Sequence, residues 1–341
     1  MRPAPPIWAR VSSIEPEGVP IPLCLASLQR IARPFAVCAL ATIVGLACAR
    51  LGPLGSGPDD TFARDAARLA AGDEAGPGPF RVDARGVLAT RPEGRFPVAL
   101  YRPRGRGGLL PAVVFLPGYL VPERQYESIG RALASRGFVV AVRGRFGPLV
   151  SDREMAEAAV HLADWLVATQ GADPQRFGIA GHSMGGKDAV LAALEDPRFR
   201  AVVAIDPDDR GEPSVVHGAL PRLAAPLLLI GAELGSRAAS VCADPAHDYR
   251  RFFERAPAGT LELTLLGADH VQVMDDPEAF GLGLCRCGTA DSAAVRILTR
   301  RATVHFFLER LAGAAPRPLE LGGVGVLRVR SAWSEGVAAG S

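Results

Sequence analysis

Ala112-Val113-Val114-Phe115-Leu116 runs five apolar residues without a polar break and is closed by Pro117-Gly118. A strand with one wet face alternates polar and apolar residues. An unbroken run ended by a turn therefore predicts a strand buried on both faces, which requires covering layers above and below. Further strands are expected at Phe138–Val142, Phe177–Ala180 (after an Asp173-Pro174 turn), Ala201–Ile205, Pro226–Ile230 and Leu261–Leu266. Between them, apolar residues recur at helical spacing: Tyr126, Ile129 and Leu133, then Met155 to Leu166, then a helix from about Met184 to Leu194. A last stripe carries Ile297, Val304, Leu308 and Leu311. Strands alternating with helices predict an α/β chain with a mostly parallel central sheet and helices on both faces. Two earlier strands, Arg81–Thr90 and Phe96–Tyr101, flank an Arg91-Pro92-Glu93-Gly94 turn.

This regular region is expected to span 79–315, between a Gly-, Pro-, Ala- and Asp-rich linker at 50–78 and a tail at 316–341. Residues 1–49 are of another kind. Arg30 and Arg33 precede an apolar run from Phe35 to Ala47, and Ala47-Cys48-Ala49 supplies a small-x-small site. That pattern predicts an export signal, with the protein periplasmic or extracellular; the alternative is an uncleaved anchor that associates with the membrane. Lipid attachment at Cys48 is the weaker variant, because Gly45 stands where a larger aliphatic residue is preferred. A net charge of +2 provides no field suited to nucleic acid. Beyond the leader lie Cys242, Cys285 and Cys287. An oxidising compartment permits one disulfide, from Cys242 to either member of the pair, whereas three buried thiols is the competing reading. Cys285-Arg286-Cys287 is too tightly spaced and isolated for a zinc site.

Gly181-His182-Ser183-Met184-Gly185 has the G-x-S-x-G spacing of a nucleophile elbow. In a chain with 38 glycines the bare pattern is weak; its place between an expected strand and an expected helix makes it specific. The turn is so tight that side chains two residues to either side of the serine would collide, and glycine at 181 and 185 removes the collision. The hydroxyl then stands at a helix N-terminus, where developing negative charge is favoured.

A serine nucleophile needs a base, and histidine accepts and returns protons near neutral pH. Of six histidines, His161 and His305 fall within helices, His182 in the elbow packs against the scaffold, and His217 and His247 lie in irregular or helix-starting segments. His270 follows the strand Leu261–Leu266 by a short loop, and the order Ser183, acid, His270 is that of a hydrolase elbow. Two carboxylates compete to orient it. Asp206 leaves the strand Ala201–Ile205 directly and is favoured over Glu233, which follows the next strand; Asp208 and Asp209 read as a solvated turn. The backbone N–H groups of Met184 and Tyr119 are the candidate oxyanion donors, Gly118 allowing close approach. This chemistry calls for no metal or organic cofactor.

Gly118-Tyr119 and the stretch Leu133 to Val140 resemble both chlorophyllases and, more loosely, bacterial cutinase-like polyester hydrolases, and the elbow from Gly181 to Gly186 resembles that of the polyester hydrolases. Lys187, Ile205-Asp206-Pro207, Gly231 to Gly235, Cys242-Ala243, His270 before Met274-Asp275-Asp276, and Cys285-Arg286-Cys287 resemble chlorophyllase segments in the same order. Chlorophyllases usually carry arginine where Met184 stands. The resemblance implies the α/β-hydrolase fold, a Ser-Asp-His triad whose acid lies in the Asp-Pro pair, and cleavage of a lipophilic ester. A polyester or lipid hydrolase is the alternative, and a catalytically silent lipid- or partner-binding relative the third reading.

Overall fold

The computed structural model describes residues 76–330 except 92–93, 145–149, 238–241, 280–284, 315 and 317. The leader and nearly all of the linker lie outside these residues. Nine strands form one sheet in the order β1-β2-β4-β3-β5-β6-β7-β8-β9. β1 (Val82–Arg91) and β2 (Gly94–Pro103) form an antiparallel pair, and β2 is also antiparallel to β4 (Val139–Arg143). From β4 the sheet runs parallel through β3 (Leu110–Leu116), β5 (Ala172–His182), β6 (Phe199–Ile205), β7 (Leu227–Ala232) and β8 (Leu261–Leu265).

Every residue of β3 is buried. Val113 and Phe115 point into one core, with residues of α1 (Glu127–Ala134) and α5 (Ser292–Leu311). Ala112, Val114 and Leu116 point into the other, with α2 (Asp152–Gln170), α3 (Met184–Glu195) and Phe252 of α4 (Tyr249–Arg255). The unbroken apolar run is thus the signature of a strand between two helical layers. The family fold implied by the sequence, a mostly parallel sheet between helices, is the fold found.

Three differences are physical. The Asp173-Pro174 turn lies inside β5: Ala172 pairs with Leu110, Phe177 with Ala112, and the residues between bulge outward, where Asp173 Oδ1 accepts the Gln175 N–H at 2.9 Å. α4 is too short for periodicity to reveal. The stretch set apart as a tail contributes β9 (Gly325–Val329), antiparallel to β8, with Arg328 donating to both carboxylate oxygens of buried Glu262. Among the described residues no helix is long and apolar enough to cross a membrane.

The chain's single lysine is wholly buried in α3. Lys187 Nζ donates to Asp152 Oδ2 at 2.7 Å and to the carbonyls of Arg210 and Gly211 at 3.0 and 2.9 Å, tying the start of α2 to the loop after β6. Burial and the adjacent Asp152 carboxylate push Asp188 well above the usual carboxylate range. Removing one partner of a buried pair strands the other charge, so Lys187→Met should lower unfolding free energy by about 3–5 kcal/mol. Urea denaturation measures this, and a loss below about 1 kcal/mol, the worth of an exposed pair, would show the ammonium to be dispensable.

Candidate active site

Each candidate residue stands at the C-terminal edge of the parallel strands, where open α/β sheets gather their functional groups. β5 ends at His182, α3 begins at Met184, and the whole reversal falls on Ser183 at φ 58° and ψ −128°. A Cβ on Gly181 would lie 1.9 Å from the Gly185 carbonyl oxygen, and one on Gly185 would lie 2.4 Å from the carbonyl oxygens of Leu116 and Pro117. Glycine is therefore required at both positions by contact.

Ser183, Asp206 and His270 converge. His270 Nε2 lies 2.9 Å from Ser183 Oγ, and His270 Nδ1 lies 2.6 Å from Asp206 Oδ2. The carboxylate accepts only, so Nδ1 carries the proton and Nε2 accepts from the serine hydroxyl. All three residues are buried, with Ser183 retaining 7% exposure. Asp206 leaves β6 at φ 39°, a second left-handed residue at the site. Its Oδ1 accepts the Ala232 N–H at 2.9 Å, which leaves Oδ2 for the imidazole.

Glu233 is engaged elsewhere: its Oε2 accepts the Gly267 N–H at 2.7 Å. Asp208 and Asp209, expected as a solvated turn, are buried instead. Asp208 pairs with Arg210 at 2.7 Å, and Asp209 accepts from Ser214 Oγ and from the backbone of Val215 and Val216. Each found donors that no spacing rule announces. Met184, as the first residue of α3, has a backbone N–H with no acceptor within its own helix. Gly118 brings the loop after β3 against it: a Cβ there would lie 3.2 Å from the Ser183 Cβ. Tyr119, next in that loop, is half exposed.

Two contributions escaped the sequence reading. A Cβ on Gly235 would lie 2.4 Å from Asp206 Oδ2, so any larger residue displaces the oxygen that meets His270; a glycine shortly after a strand end was the available signal. His182, expected as packing, is a connector. The Gly118 N–H donates to Tyr126 Oη at 3.1 Å, the phenol donates to His182 Nδ1 at 2.8 Å, and His182 Nε2 donates to the His270 carbonyl at 2.9 Å. This chain joins the loops after β3, β5 and β8. Burial pushes the Tyr126 phenol up, keeping its proton in place. Cys242 is bonded to Cys285, with Cα atoms 5.7 Å apart, and Cys287 lies outside the bond. Among the described residues no three His, Cys, Asp or Glu side chains gather as a metal site.

Burial, then the neighbouring His270, hold the His182 imidazole well below its ordinary 6.5. The unfolded chain takes up this proton as pH falls through about 6.5 and the folded chain does not, so the histidine's contribution to stability is lost on acidification from that point. His182→Gln should flatten the fall in unfolding free energy between about pH 6.5 and 5, by up to about 1.4 kcal/mol per pH unit. Urea titrations of both proteins at several pH values check this; parallel curves would contradict it.

Residues 56–275 of the 341 match the family described as PETase, PET hydrolase-like. The chain is 24% identical over 209 residues to the chlorophyllase type 0 of Chenopodium album, covering 53% of this chain and 60% of that protein. It is 26% identical over 221 residues to the bis(hydroxyethyl) terephthalate hydrolase of Streptomyces coelicolor, covering 63% and 68%. It is 29% identical over 205 residues to the cutinase of Thermobifida fusca, covering 58% and 64%. The chain thus spans about three fifths of the length of the chlorophyllase it matches. With the match covering well over half of its length, the chain belongs to the PET hydrolase-like family.

Proposed function

We propose that this protein is a serine carboxylic-ester hydrolase that cleaves lipophilic esters through Ser183, His270 and Asp206. The observation that carries the reading is the buried relay, 2.9 Å from hydroxyl to imidazole and 2.6 Å from imidazole to carboxylate. Ser183 Oγ attacks the ester carbonyl while His270 Nε2 takes the hydroxyl proton, and Asp206 stabilises the imidazolium through Nδ1–H. The backbone N–H groups of Met184 and Tyr119 receive the oxyanion. Collapse of the tetrahedral intermediate breaks the ester C–O bond, and His270 protonates the leaving alcohol. Water, deprotonated by His270, then attacks the acyl-enzyme and releases the acid.

The substrate class follows from the relatives. The relatives are named as a chlorophyllase, a cutinase and a bis(hydroxyethyl) terephthalate hydrolase, which supports a carboxylic ester with a large apolar part on at least one side. Met184 in place of the chlorophyllase arginine and the PET hydrolase-like match favour a second reading within the class, an aromatic or polymeric ester over chlorophyll. The leader pattern and the Cys242–Cys285 bond support export.

Ser183→Ala should remain folded and lose about four orders of magnitude or more of activity on a short p-nitrophenyl ester. Asp206→Asn should lose about 10⁴-fold, whereas Glu233→Gln keeps most of the activity. Undiminished turnover by Ser183→Ala, or the reverse ranking of the two acids, would overturn the assignment. Rates on chlorophyll, bis(hydroxyethyl) terephthalate and p-nitrophenyl esters of varied acyl length separate the substrate readings. A fluorophosphonate that fails to label Ser183 would mark a catalytically silent protein.

A further inference from the structure

The residue before the base is itself a buried acid. Asp269 is fully buried, and its carboxylate accepts from five donors on two segments. Oδ1 takes the N–H groups of Val271 and Gln272 at 3.1 and 3.0 Å, closing the turn that carries His270. Oδ2 takes the N–H groups of Cys287 and Gly288 at 3.0 and 2.8 Å and Arg286 Nε at 3.2 Å. Gln272 completes the lacing: Oε1 accepts the Asp269 N–H at 2.9 Å, and Nε2 donates to the Ala290 carbonyl and Ser292 Oγ. The packing is tight enough that a Cβ on Gly288 would lie 2.0 Å from Gln272 Oε1. The segment so gripped is anchored one residue upstream of Arg286 by the Cys242–Cys285 bond.

From this geometry we infer that Asp269 is a positioning residue for His270, acting by clamping the base loop to the disulfide-anchored segment 285–288. The inference rests on the triad reading above. A base carried on an irregular loop holds its imidazole on the serine only if the loop has one conformation. His270 is fixed at its ring by Asp206 and at its carbonyl by His182, and Asp269 and Gln272 fix the backbone on either side. Two carboxylate oxygens are what five converging donors require. An amide in the same place has one accepting oxygen and turns N–H against N–H. Activity is thereby linked to the Cys242–Cys285 bond, since that bond holds the far side of the clamp.

Asp269→Asn tests this, assayed on a p-nitrophenyl ester well below the unfolding temperature and with folding checked by circular dichroism. Displacements of the order of 1 Å from a supporting residue cost about 10- to 100-fold in rate, so kcat should fall in that range with KM nearly unchanged. Labelling of Ser183 by a fluorophosphonate should slow in proportion, because it too needs the imidazole in register. A purely structural carboxylate would lower the melting temperature and leave kcat and labelling of the folded protein as they were. The Cys242→Ala/Cys285→Ala pair should lose kcat in the same direction and add little to Asp269→Asn, since both release one clamp. Should Asp269→Asn not accumulate folded, Gln272→Ala replaces it under the same criterion. A kcat within about twofold of the parent, or fully additive losses, overturns the inference. Ser183→Ala runs beside these variants: activity surviving there overturns the triad reading and this inference together, whereas an inert Ser183→Ala beside an undiminished Asp269→Asn overturns this inference alone.

Discussion

The reversal between β5 and α3 is made on one residue, and much of the site depends on how little room it leaves. Ser183 takes a left-handed conformation that a non-glycine residue adopts only when its surroundings hold it there. The surroundings are the flanking strands: the Ser183 N–H donates to the Ile205 carbonyl, and its own carbonyl accepts from Gly186 and Asp208. Because β3 and β6 lie on either side of β5, the loops leaving them are brought to the same point as the serine. The oxyanion candidate after β3 and the acid after β6 are consequences of sheet order, two strand ends adjacent to a third.

The base has no such guarantee. β8 is three places from β5 in the sheet, and its loop must reach back over β6 and β7 to meet the serine. A long reach over the sheet edge is entropically loose unless polar groups fix it. Both kinds of contact hold the loops: Ala268, Val271, Val273 and Met274 of the base loop are buried in the hydrophobic core, and buried acids and histidines add hydrogen bonds. Asp206 ties its loop to β7 through Ala232, Asp209 gathers the turn at 214–216, and His182 holds the His270 carbonyl. Each of these residues satisfies backbone donors or acceptors that a loop would otherwise leave without partners away from water, where a missing bond costs about 1–3 kcal/mol.

This division explains what could be read from the chain alone. Hydrophobic periodicity reports which residues avoid water, so the central strands and α1, α2, α3 and α5 were all visible. The order of residues at strand ends then made the convergence of Ser183, Asp206 and His270 legible, with the G-x-S-x-G spacing forced by local geometry. α4 is only seven residues, too few for a helical stripe, and β9 carries a mixed pattern because it is an edge strand with one neighbour. The polar connectors were invisible for a different reason. His182 and Asp209 look in sequence like residues of a turn, and nothing local says that the partners of His182 lie tens of residues away or that the turn just after Asp209 closes on its carboxylate. Asp209 in particular read as solvated because a run of three carboxylates within four residues usually is. Burial became tolerable only through donors supplied by Ser214, Val215 and Val216.

The same reasoning bears on substrate range. In the proposed mechanism Met184 serves through its backbone N–H whatever its side chain, because that group is set by the helix start. A change from arginine to methionine at this position therefore leaves the acyl-transfer apparatus intact. What it alters is the charge and polarity beside the scissile ester, which an apolar thioether leaves neutral where a guanidinium would favour an oxygen-rich partner. On that mechanism the chemistry would rest on the backbone of residue 184 and the polarity beside the ester on its side chain. The relatives include proteins named as a chlorophyllase, a cutinase and a bis(hydroxyethyl) terephthalate hydrolase, a spread of names consistent with a side chain at this position that varies while a backbone N–H stays in place.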